Sequence, residues 1–299
     1  MRIHLEGMGL QGALLAHRLA LYGVPFSWHD IEAEHTAWKA STGAIYPADS
    51  TNHGPDREAW KVWKFWHAAG QFDHNHLERS TGLVFCTKKP PHMGDYSFEK
   101  IAGGLKLGSE PSFHFNAQTF VPAMREKFAD CRRIIAPHKN AFDRYIITHS
   151  WGERLDRTYW GWTRLVQLTF PGLGVSWRPA FYFRPNRYLM AYAYPVPGTP
   201  WFYAGSSIIQ QRLGKLRNLE APPKYEKWKH NFEAIAQGQV KVIEEGEYLT
   251  GWRPAAAPTD EAWVRVKGNV ITLRPLWNSG IRHFPAQWKG VAPQLRLIA

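Results

Sequence analysis

Cysteine is scarce in this chain, with only Cys86 and Cys131 among 299 residues, and the two do not form a CxxC pair. Two isolated thiols neither cross-link a secreted domain nor build a zinc site, so we expect a reducing, cytoplasmic environment and no bound metal. Long apolar runs are also missing, since no stretch reaches the roughly 18 uninterrupted apolar residues of a membrane span. His4, Glu6 and His17 interrupt the N-terminal segment, which argues against a secretory signal peptide.

Acidic residues are outnumbered by basic ones: the chain has 25 Asp and Glu residues and 37 Lys and Arg residues, which gives a formal net charge of +12. A basic surface attracts polyanions. Several of the fifteen tryptophans adjoin lysines, and aromatic faces beside cations suit base stacking with phosphate neutralisation. The spacing of Trp60, Trp63 and Trp66 fits one face of a helix over 56–70 and predicts burial equally well. We therefore keep DNA or RNA as a candidate partner, with tentative contacts at Arg57, Lys61 and Lys64.

The first thirty residues carry the most informative pattern. A short apolar strand leads into Gly7-Met8-Gly9-Leu10-Gln11-Gly12, a helical pattern follows, and a second strand-like run ends at Asp30. Gly7 permits the tight turn, Gly9 lets the backbone approach a pyrophosphate, and Gly12 lets the helix pack on the strand. The helix N-terminus favours phosphate, and Asp30 can accept hydrogen bonds from a ribose. The pattern predicts a βαβ unit that binds a dinucleotide.

The remaining chain alternates between α/β and β-rich stretches. We predict helices near 120–128 and 223–237, short buried strands at 145–148 and 270–273, and β-rich structure over 160–210. This order favours an α/β fold in which a Rossmann-like domain is assembled from both chain ends around an inserted, mainly antiparallel β domain. The predicted dinucleotide domain comprises 1–50, 115–160 and 246–299, and the predicted substrate domain comprises 51–114 and 161–245.

Short motifs along most of the chain resemble the D-amino-acid oxidase and glycine oxidase family of FAD enzymes. They are the N-terminal unit, the loop Ala40-Ser41-Thr42-Gly43, Gly251-Trp252-Arg253-Pro254, and Asn278-Ser279-Gly280-Ile281 followed by Pro285. The resemblance implies FAD as cofactor and the fold described above. It implies FAD contacts at Gly7, Met8, Gly9, Leu10, Gln11, Gly12, Asp30, Ile31, Ser41, Thr42, Gly43, Ala44, Asn278, Ser279, Gly280 and Ile281.

The resemblance also implies a substrate site. Arg253 matches the arginine that binds the substrate carboxylate in this family, and a planar guanidinium suits that task. Its alternative is a structural role in the turn before Pro254. Tyr194 and Tyr203 lie on strands that would floor the substrate cavity, although either can equally be a core aromatic. Asn278 stands where glycine oxidase-like members often carry arginine.

The implied reaction is hydride transfer from an amine-bearing carbon to flavin, which relies on orientation and desolvation rather than on a strong acid or base. The family includes tRNA-modifying members that act on carboxymethylaminomethyl-uridine. The basic charge and the departure at Asn278 lead us to predict an amine or glycine-like group attached to a nucleobase in DNA or RNA. The alternatives are a free amino-acid or glycine oxidase, a nucleic-acid-binding flavoprotein without turnover, and an NAD-dependent dehydrogenase.

Overall fold

The computed structural model describes residues 1–30, 36–45, 55–86, 98–100, 106–148, 158–171, 178–184, 191–206, 211–212, 224–236, 238–254, 264–273 and 281–297. The α-helices are α1 (Leu10–Leu21), α2 (Pro55–Ala68), α3 (Ala117–Lys127), α4 (Tyr225–Ile235) and α5 (Phe284–Val291). The strands are β1 (Ile3–Glu6), β2 (Phe26–His29), β3 (Ala44–Ile45), β4 (Leu77–Cys86), β5 (Phe98–Lys100), β6 (Lys106–Phe115), β7 (Arg144–Ile147), β8 (Thr158–Thr169), β9 (Ala180–Arg184), β10 (Ala191–Pro195), β11 (Phe202–Ser206), β12 (Gln211–Arg212), β13 (Lys241–Pro254), β14 (Val264–Lys267) and β15 (Val270–Leu273).

The predicted helices and strands are present. α3 begins three residues before the predicted position because Asn116 caps it, and the Asn116 side chain accepts a hydrogen bond from the Thr119 amide at 3.3 Å. Such a cap satisfies one of the amides that a helix start leaves without an intrahelical partner. The last helix, α5, begins at Phe284.

A five-stranded sheet joins distant parts of the chain in the order β14-β15-β7-β1-β2. β1 pairs in parallel with β2 and β7, and β15 pairs in parallel with β7. Leu5, Ile146 and Ile271, one from each of three strands, are fully buried in one apolar core together with Leu14 and Leu15 of α1. The sequence prediction of an α/β unit built from both chain ends is confirmed by this sheet.

A second, mainly antiparallel sheet follows the order β12-β8-β11-β10-β9-β4-β6-β3, with β13 paired to β8 and β5 paired to β6. Side chains alternate between its two faces. One face, called here the outer face, carries Phe181 and Phe202, which pack against Trp228 and Phe232 of α4. The opposite face, called here the inner face, carries His114 of β6 together with Tyr192 and Tyr194 of β10 and Tyr203 of β11.

Two elements connect the sheets. β13 pairs with β8 along its whole length, although the predicted dinucleotide domain includes its last residues. α2 packs its tryptophans into the core of the five-stranded sheet, although its residues belong to the predicted substrate domain. The domain boundaries themselves stay a prediction. Among the residues that the structure describes, none of the helices combines the length and apolar character of a membrane span.

Candidate dinucleotide site and adjoining sheet face

The turn after β1 has the backbone that its glycines were expected to provide. Gly7 has a φ of 98°, and its amide donates to the His29 carbonyl at 2.8 Å. α1 then begins with Gly9 at its N-cap, where no side chain caps the helix, and its first turn carries no acidic residue. The first turn of α1 therefore brings no carboxylate of its own to the positive end of the helix dipole, which suits an anionic ligand.

Gly9 and Gly12 are needed for different reasons. A Cβ on Gly12 would lie 2.1 Å from the Gly7 carbonyl oxygen, so Gly12 is required by the packing of α1 on the turn. Gly9 has an ordinary extended backbone, and a Cβ there would meet only Trp38 Cδ1, at 3.7 Å. The protein's own packing therefore tolerates a methyl group at Gly9. The remaining physical reason for glycine at this position is that it lets a ligand come close to the protein backbone.

Asp30 lies beside the glycine turn, where the ribose partner was predicted. Its Oδ2 accepts a hydrogen bond from the Met8 amide at 3.0 Å and forms an ion pair with Arg125. Arg125 Nε also donates to the Met8 carbonyl at 3.0 Å. Asp30 and Arg125 thus hold the turn in place from the α3 side. Ile31, predicted beside Asp30, lies outside the described residues.

Trp38 lies beside the glycine turn, and the sequence analysis did not include it among the candidate FAD contacts. It lies in a 3₁₀ helix, Ala37–Ala40, with its ring beside Gly9 and the Arg125 guanidinium 6.0 Å from the ring centroid. Its Nε1 is buried and has no hydrogen-bond partner. A buried donor without an acceptor is costly, and a phosphate oxygen is the acceptor that this position would offer it.

The segment Ser41–Ala44 runs from the 3₁₀ helix into the edge of the large sheet. Gly43 has a φ of 62°, and a Cβ there would lie 1.8 Å from the Phe115 carbonyl oxygen, so only glycine fits. Gln118 Nε2 donates to the Lys39 and Ser41 carbonyls, at 3.0 Å each. Ala44 then pairs with His114 on β6, which brings the segment onto the inner face.

Tyr203 is tied into this arrangement. Its hydroxyl donates to Gln118 Oε1 at 2.6 Å, the same side chain that holds the Lys39 and Ser41 carbonyls. Burial raises the pKa of Tyr203, so the phenol stays protonated. These contacts favour a role in positioning Ser41. The predicted role of Tyr203 towards substrate stays a prediction.

Tyr194 belongs to a stack of three rings on the inner face. Its ring is 5.2 Å from that of Tyr192 and 5.9 Å from that of His114, both nearly parallel to it. His114 is fully buried, Ser112 Oγ lies 3.1 Å from its Nε2, and its Nδ1 has no partner. Burial, with a smaller contribution from Arg178, lowers the pKa of His114 to about 3. The imidazole is therefore neutral and has a ring nitrogen for a further hydrogen bond.

His114 was not singled out from the sequence. The alternation of Phe113, His114 and Phe115 is the only local signal, because it places His114 on the face opposite two core phenylalanines. The inner face next to Ala44 is therefore polar and aromatic.

The other predicted site residues are only partly placed. Arg253 lies on β13, with its backbone paired to Tyr159 on β8. Ile281 is buried just before α5. Asn278, Ser279 and Gly280 lie outside the described residues, and so does the side chain of Arg253.

The tryptophans of α2 and the tentative nucleic-acid contacts on the same helix lie in different environments. Trp63 and Trp66 are buried in the core, so of the two alternatives kept for them burial is confirmed and stacking on bases is wrong. Lys61 is exposed and paired with Glu58 at 2.7 Å, and Lys64 lies 5.6 Å from the centroid of Trp60. Arg57 is on the same helix.

The glycine turn, the uncapped helix start and the buried Trp38 N–H together fit a dinucleotide, and the fold agrees with that of known oxidases. An iminodiacetate oxidase from Chelativorans sp. BNC1 has a TM-score of 0.68 at 17% identity and covers 100% of this chain and 96% of its own. A glycine oxidase from Bacillus cereus ATCC 14579 has a TM-score of 0.69 at 13% identity, with coverages of 99% and 94%.

A third structure, L-α-glycerophosphate oxidase from Mycoplasma pneumoniae with FAD bound, has a TM-score of 0.63 at 11% identity, with coverages of 99% and 95%. No family model matches the sequence, and no curated protein sequence matches it. At these identities the similarity establishes the fold. The chain has the fold of these oxidases, as the resemblance to D-amino-acid oxidase and glycine oxidase predicted.

Proposed function

We propose that this protein is an FAD-dependent oxidoreductase that oxidises the C–N bond of an amine or glycine-like group. The observation that carries the proposal is the cradle at the start of α1. There the chain keeps the Cβ position of Gly9 open, leaves the helix start uncapped, and buries the Trp38 N–H without an acceptor. Similar folds in an iminodiacetate oxidase and a glycine oxidase support the amine substrate.

The proposal gives each part of FAD its place. The pyrophosphate is assigned to Gly7–Gly12 with Trp38, the adenosine ribose to Asp30 and Ile31, and the flavin ring to Ser41–Ala44 and Asn278–Ile281. When bound, FAD supplies the hydride acceptor. The chain's residues bind it, orient the substrate and exclude water, which are the contributions a protein makes to a cofactor reaction.

The substrate is assigned to the inner face beside Ala44. Tyr194 and the neutral His114 offer hydrogen-bonding groups there. Arg253 is proposed to bind a substrate carboxylate, as the matching arginine does in the family that the sequence resembles. Asn278 is proposed to lie near the reacting end. Because His114 is neutral, its imidazole does not repel an amine that arrives in its protonated, cationic form.

The cofactor assignment is tested with Gly9→Val. The branched side chain fills the space that the pyrophosphate needs, while the structure around Gly9 has room for a Cβ, so the variant should fold and lose FAD. Flavin content is read from absorbance near about 450 nm, typical of oxidised flavin. Leu21→Val, at the exposed end of the same helix, is the control. A Gly9→Val protein that purifies with the control's full flavin content would show that the assignment is wrong.

The reaction is tested by anaerobic flavin bleaching with glycine, N-substituted glycines and simple amines. Arg253→Lys keeps the positive charge but loses the planar fork, so it should slow bleaching by carboxylated substrates more than it lowers flavin content. Absence of bleaching by every amine, in a protein that holds FAD, would remove amine oxidation and leave a flavin-binding role.

A second candidate is the same reaction on an amine attached to a nucleobase in DNA or RNA. The net charge of +12 favours it, whereas buried Trp63 and Trp66 remove part of the surface on which it was based. Binding of single- and double-stranded DNA and RNA across a salt series tests it, because phosphate neutralisation makes affinity fall steeply with salt. Lys61→Glu with Lys64→Glu should weaken such binding. Efficient glycine oxidation without polynucleotide affinity at low salt would leave the free amino-acid oxidase.

A further inference from the structure

A cavity of about 540 Å³ lies between two turns at one end of the large sheet. It is lined by His74, Glu78, Arg178, Gly198, Thr199 and Pro200. Its size falls within the range of small-molecule sites. None of these residues belongs to the cradle or the residues assigned to FAD.

The two turns that form the cavity are internally hydrogen-bonded. In the first, the Asn75 amide donates to Asp73 Oδ1 at 2.7 Å. In the second, Thr199 Oγ1 donates to the Val196 carbonyl at 3.1 Å and accepts from the Trp201 amide at 3.2 Å. The turns touch, since a Cβ on Gly198 would lie 2.4 Å from Asn75 Oδ1. The cavity wall is therefore formed in advance of any ligand.

Arg178 supplies a cation to this wall. Its Nη2 donates to the Trp201 carbonyl at 2.6 Å, and its guanidinium lies 4.9 Å from the Phe202 ring centroid. These contacts fix the guanidinium plane. Its Nε is buried without a hydrogen-bond partner, and no carboxylate of the described residues lies within ion-pair distance of it. A half-buried guanidinium that lacks a carboxylate partner is stabilised by an anion that accepts hydrogen bonds from it.

Glu78 supplies the opposite charge to the same cavity. Burial lowers the pKa of Arg178, and the nearby Glu78 carboxylate partly offsets that change. The two charges are close enough to interact but do not close on each other as an ion pair. Glu78 also disfavours a phosphate or polynucleotide in this cavity, because either would bring further negative charge against it.

We infer that this cavity binds a small zwitterion, with its carboxylate on Arg178 and its ammonium on Glu78. The site goes beyond the proposed function, because it requires neither flavin nor Arg253. It also lies next to the proposed substrate face: Glu78 pairs across the strands with His114, which pairs in turn with Ala44. The bound zwitterion is accordingly either the amine substrate or a free amino acid that acts on the enzyme from a neighbouring site.

The test is calorimetric titration of the FAD-saturated protein with glycine, acetate, methylammonium and inorganic phosphate. Glycine should bind at least about tenfold more tightly than acetate or methylammonium, since it engages both charges. Arg178→Gln should weaken glycine and acetate binding by about tenfold or more. Arg79→Gln is the matched control and should leave both affinities unchanged, because it removes one arginine charge from the residue directly after Glu78, on the opposite face of the sheet.

Glu78→Gln gives an independent check if Arg178→Gln fails to fold. It should weaken glycine binding while leaving acetate binding equal or tighter, because removing the carboxylate removes its repulsion of an anion. Glycine affinity that is the same in wild type, Arg178→Gln and Glu78→Gln would overturn the inference. So would a wild type that binds no glycine.

Anaerobic flavin absorbance distinguishes a substrate in the cavity from a free amino acid that binds there without being oxidised. It also tests amine oxidation separately from binding in the cavity. If Arg178→Gln weakens glycine binding and slows flavin bleaching to a similar extent, the glycine in the cavity is the substrate. If Arg178→Gln weakens glycine binding and leaves bleaching unchanged, the glycine in the cavity occupies a separate site. Bleaching that Arg178→Gln leaves unchanged, with unchanged glycine affinity, would remove the cavity and retain the amine oxidase.

Discussion

Among single residues, Trp38 connects the sequence motif to its three-dimensional surroundings most directly. Its ring packs beside Gly9, and Arg125 lies over the ring while holding Asp30 and Met8. The described residues offer no acceptor for its buried N–H. We therefore assign that N–H to the dinucleotide phosphates, as a donor that acts with the α1 N-terminus.

Trp38→Phe keeps an aromatic ring and removes only the donor. We expect the affinity of the apoprotein for FAD and for ADP to fall by about tenfold, the effect of losing one hydrogen bond to a charged group. The measurement is fluorescence titration. Trp60→Phe is the matched control, because the Trp60 Nε1 is also buried without a partner but lies on α2. Equal affinities in the two variants would remove Trp38 from the phosphate site.

At the scale of elements, α2 shows how one helix separates packing from charge. Trp63 is fully buried against Phe72 and Phe115, and its Nε1 donates to the Arg282 carbonyl at 3.1 Å. Lys61 points to solvent, with more than half of its side chain exposed. The apolar face of α2 therefore fixes the helix on the core, and its lysines are available to solvent.

Trp63→Ala should lower the free energy of unfolding by about 3–5 kcal/mol, the usual cost of removing a large buried aromatic side chain. Lys61→Ala should change it by less than about 0.5 kcal/mol, since an exposed ion pair contributes little. Urea unfolding measures both. A Trp63→Ala protein as stable as Lys61→Ala would contradict the packing of α2 described above.

The elements that could be predicted from sequence are those with local signals. Gly7–Gly12 and Asp30 predicted the first βαβ unit because every part of that unit lies within thirty residues. The spacing of Trp63 and Trp66 predicted a helix but could not decide between burial and exposure, since both faces of a helix share one period. That choice depends on Phe115 and Phe284, which lie far away in the sequence.

The residues around the candidate site that the sequence analysis did not name were missed for the same reason, since their partners lie far away in the sequence. Arg125 meets Asp30 across 95 positions, and Gln118 meets Ser41 across 77. Neither has a motif around it, because its role depends on where α3 is packed. Arg178 and Glu78 are likewise brought together only by the sheet, so no local pattern could have indicated the cavity between them.

At the scale of the whole molecule, buried histidines predict how stability depends on pH. Burial lowers the pKa of His114 to about 3 and those of His4 and His17 to about 4, against 6.5 for the ordinary group. The folded state therefore binds fewer protons than the unfolded state over this range. The stabilisation is complete above pH 6.5 and is lost as the pH falls towards the folded-state pKa values.

At pH 5 each of these histidines should cost about 2 kcal/mol of stability relative to pH 7.5. His17→Gln should lose less stability between pH 7.5 and pH 5 than the wild type, because one of the three titrating histidines is gone. The glutamine amide can still donate a hydrogen bond to the Gln71 carbonyl, which His17 Nε2 contacts at 2.7 Å. Urea unfolding at both pH values measures the difference. Identical pH dependence in the variant and the wild type would show that His17 is not held neutral by the fold.

The strand order β14-β15-β7-β1-β2 has a consequence for synthesis. A ribosome releases residues 1–30 first, yet the parallel neighbour β7 spans Arg144–Ile147 and β15 spans Val270–Leu273. The nascent chain therefore carries β1 and its glycine turn with only β2 as a neighbouring strand until residues 144–147 emerge. Until residues 264–273 emerge, β7 has an open edge that invites pairing with other chains, and chaperone protection during translation would have to last until then. The sheet that supports the cradle is therefore begun by β1 and β2 and completed only when β14 and β15 are added.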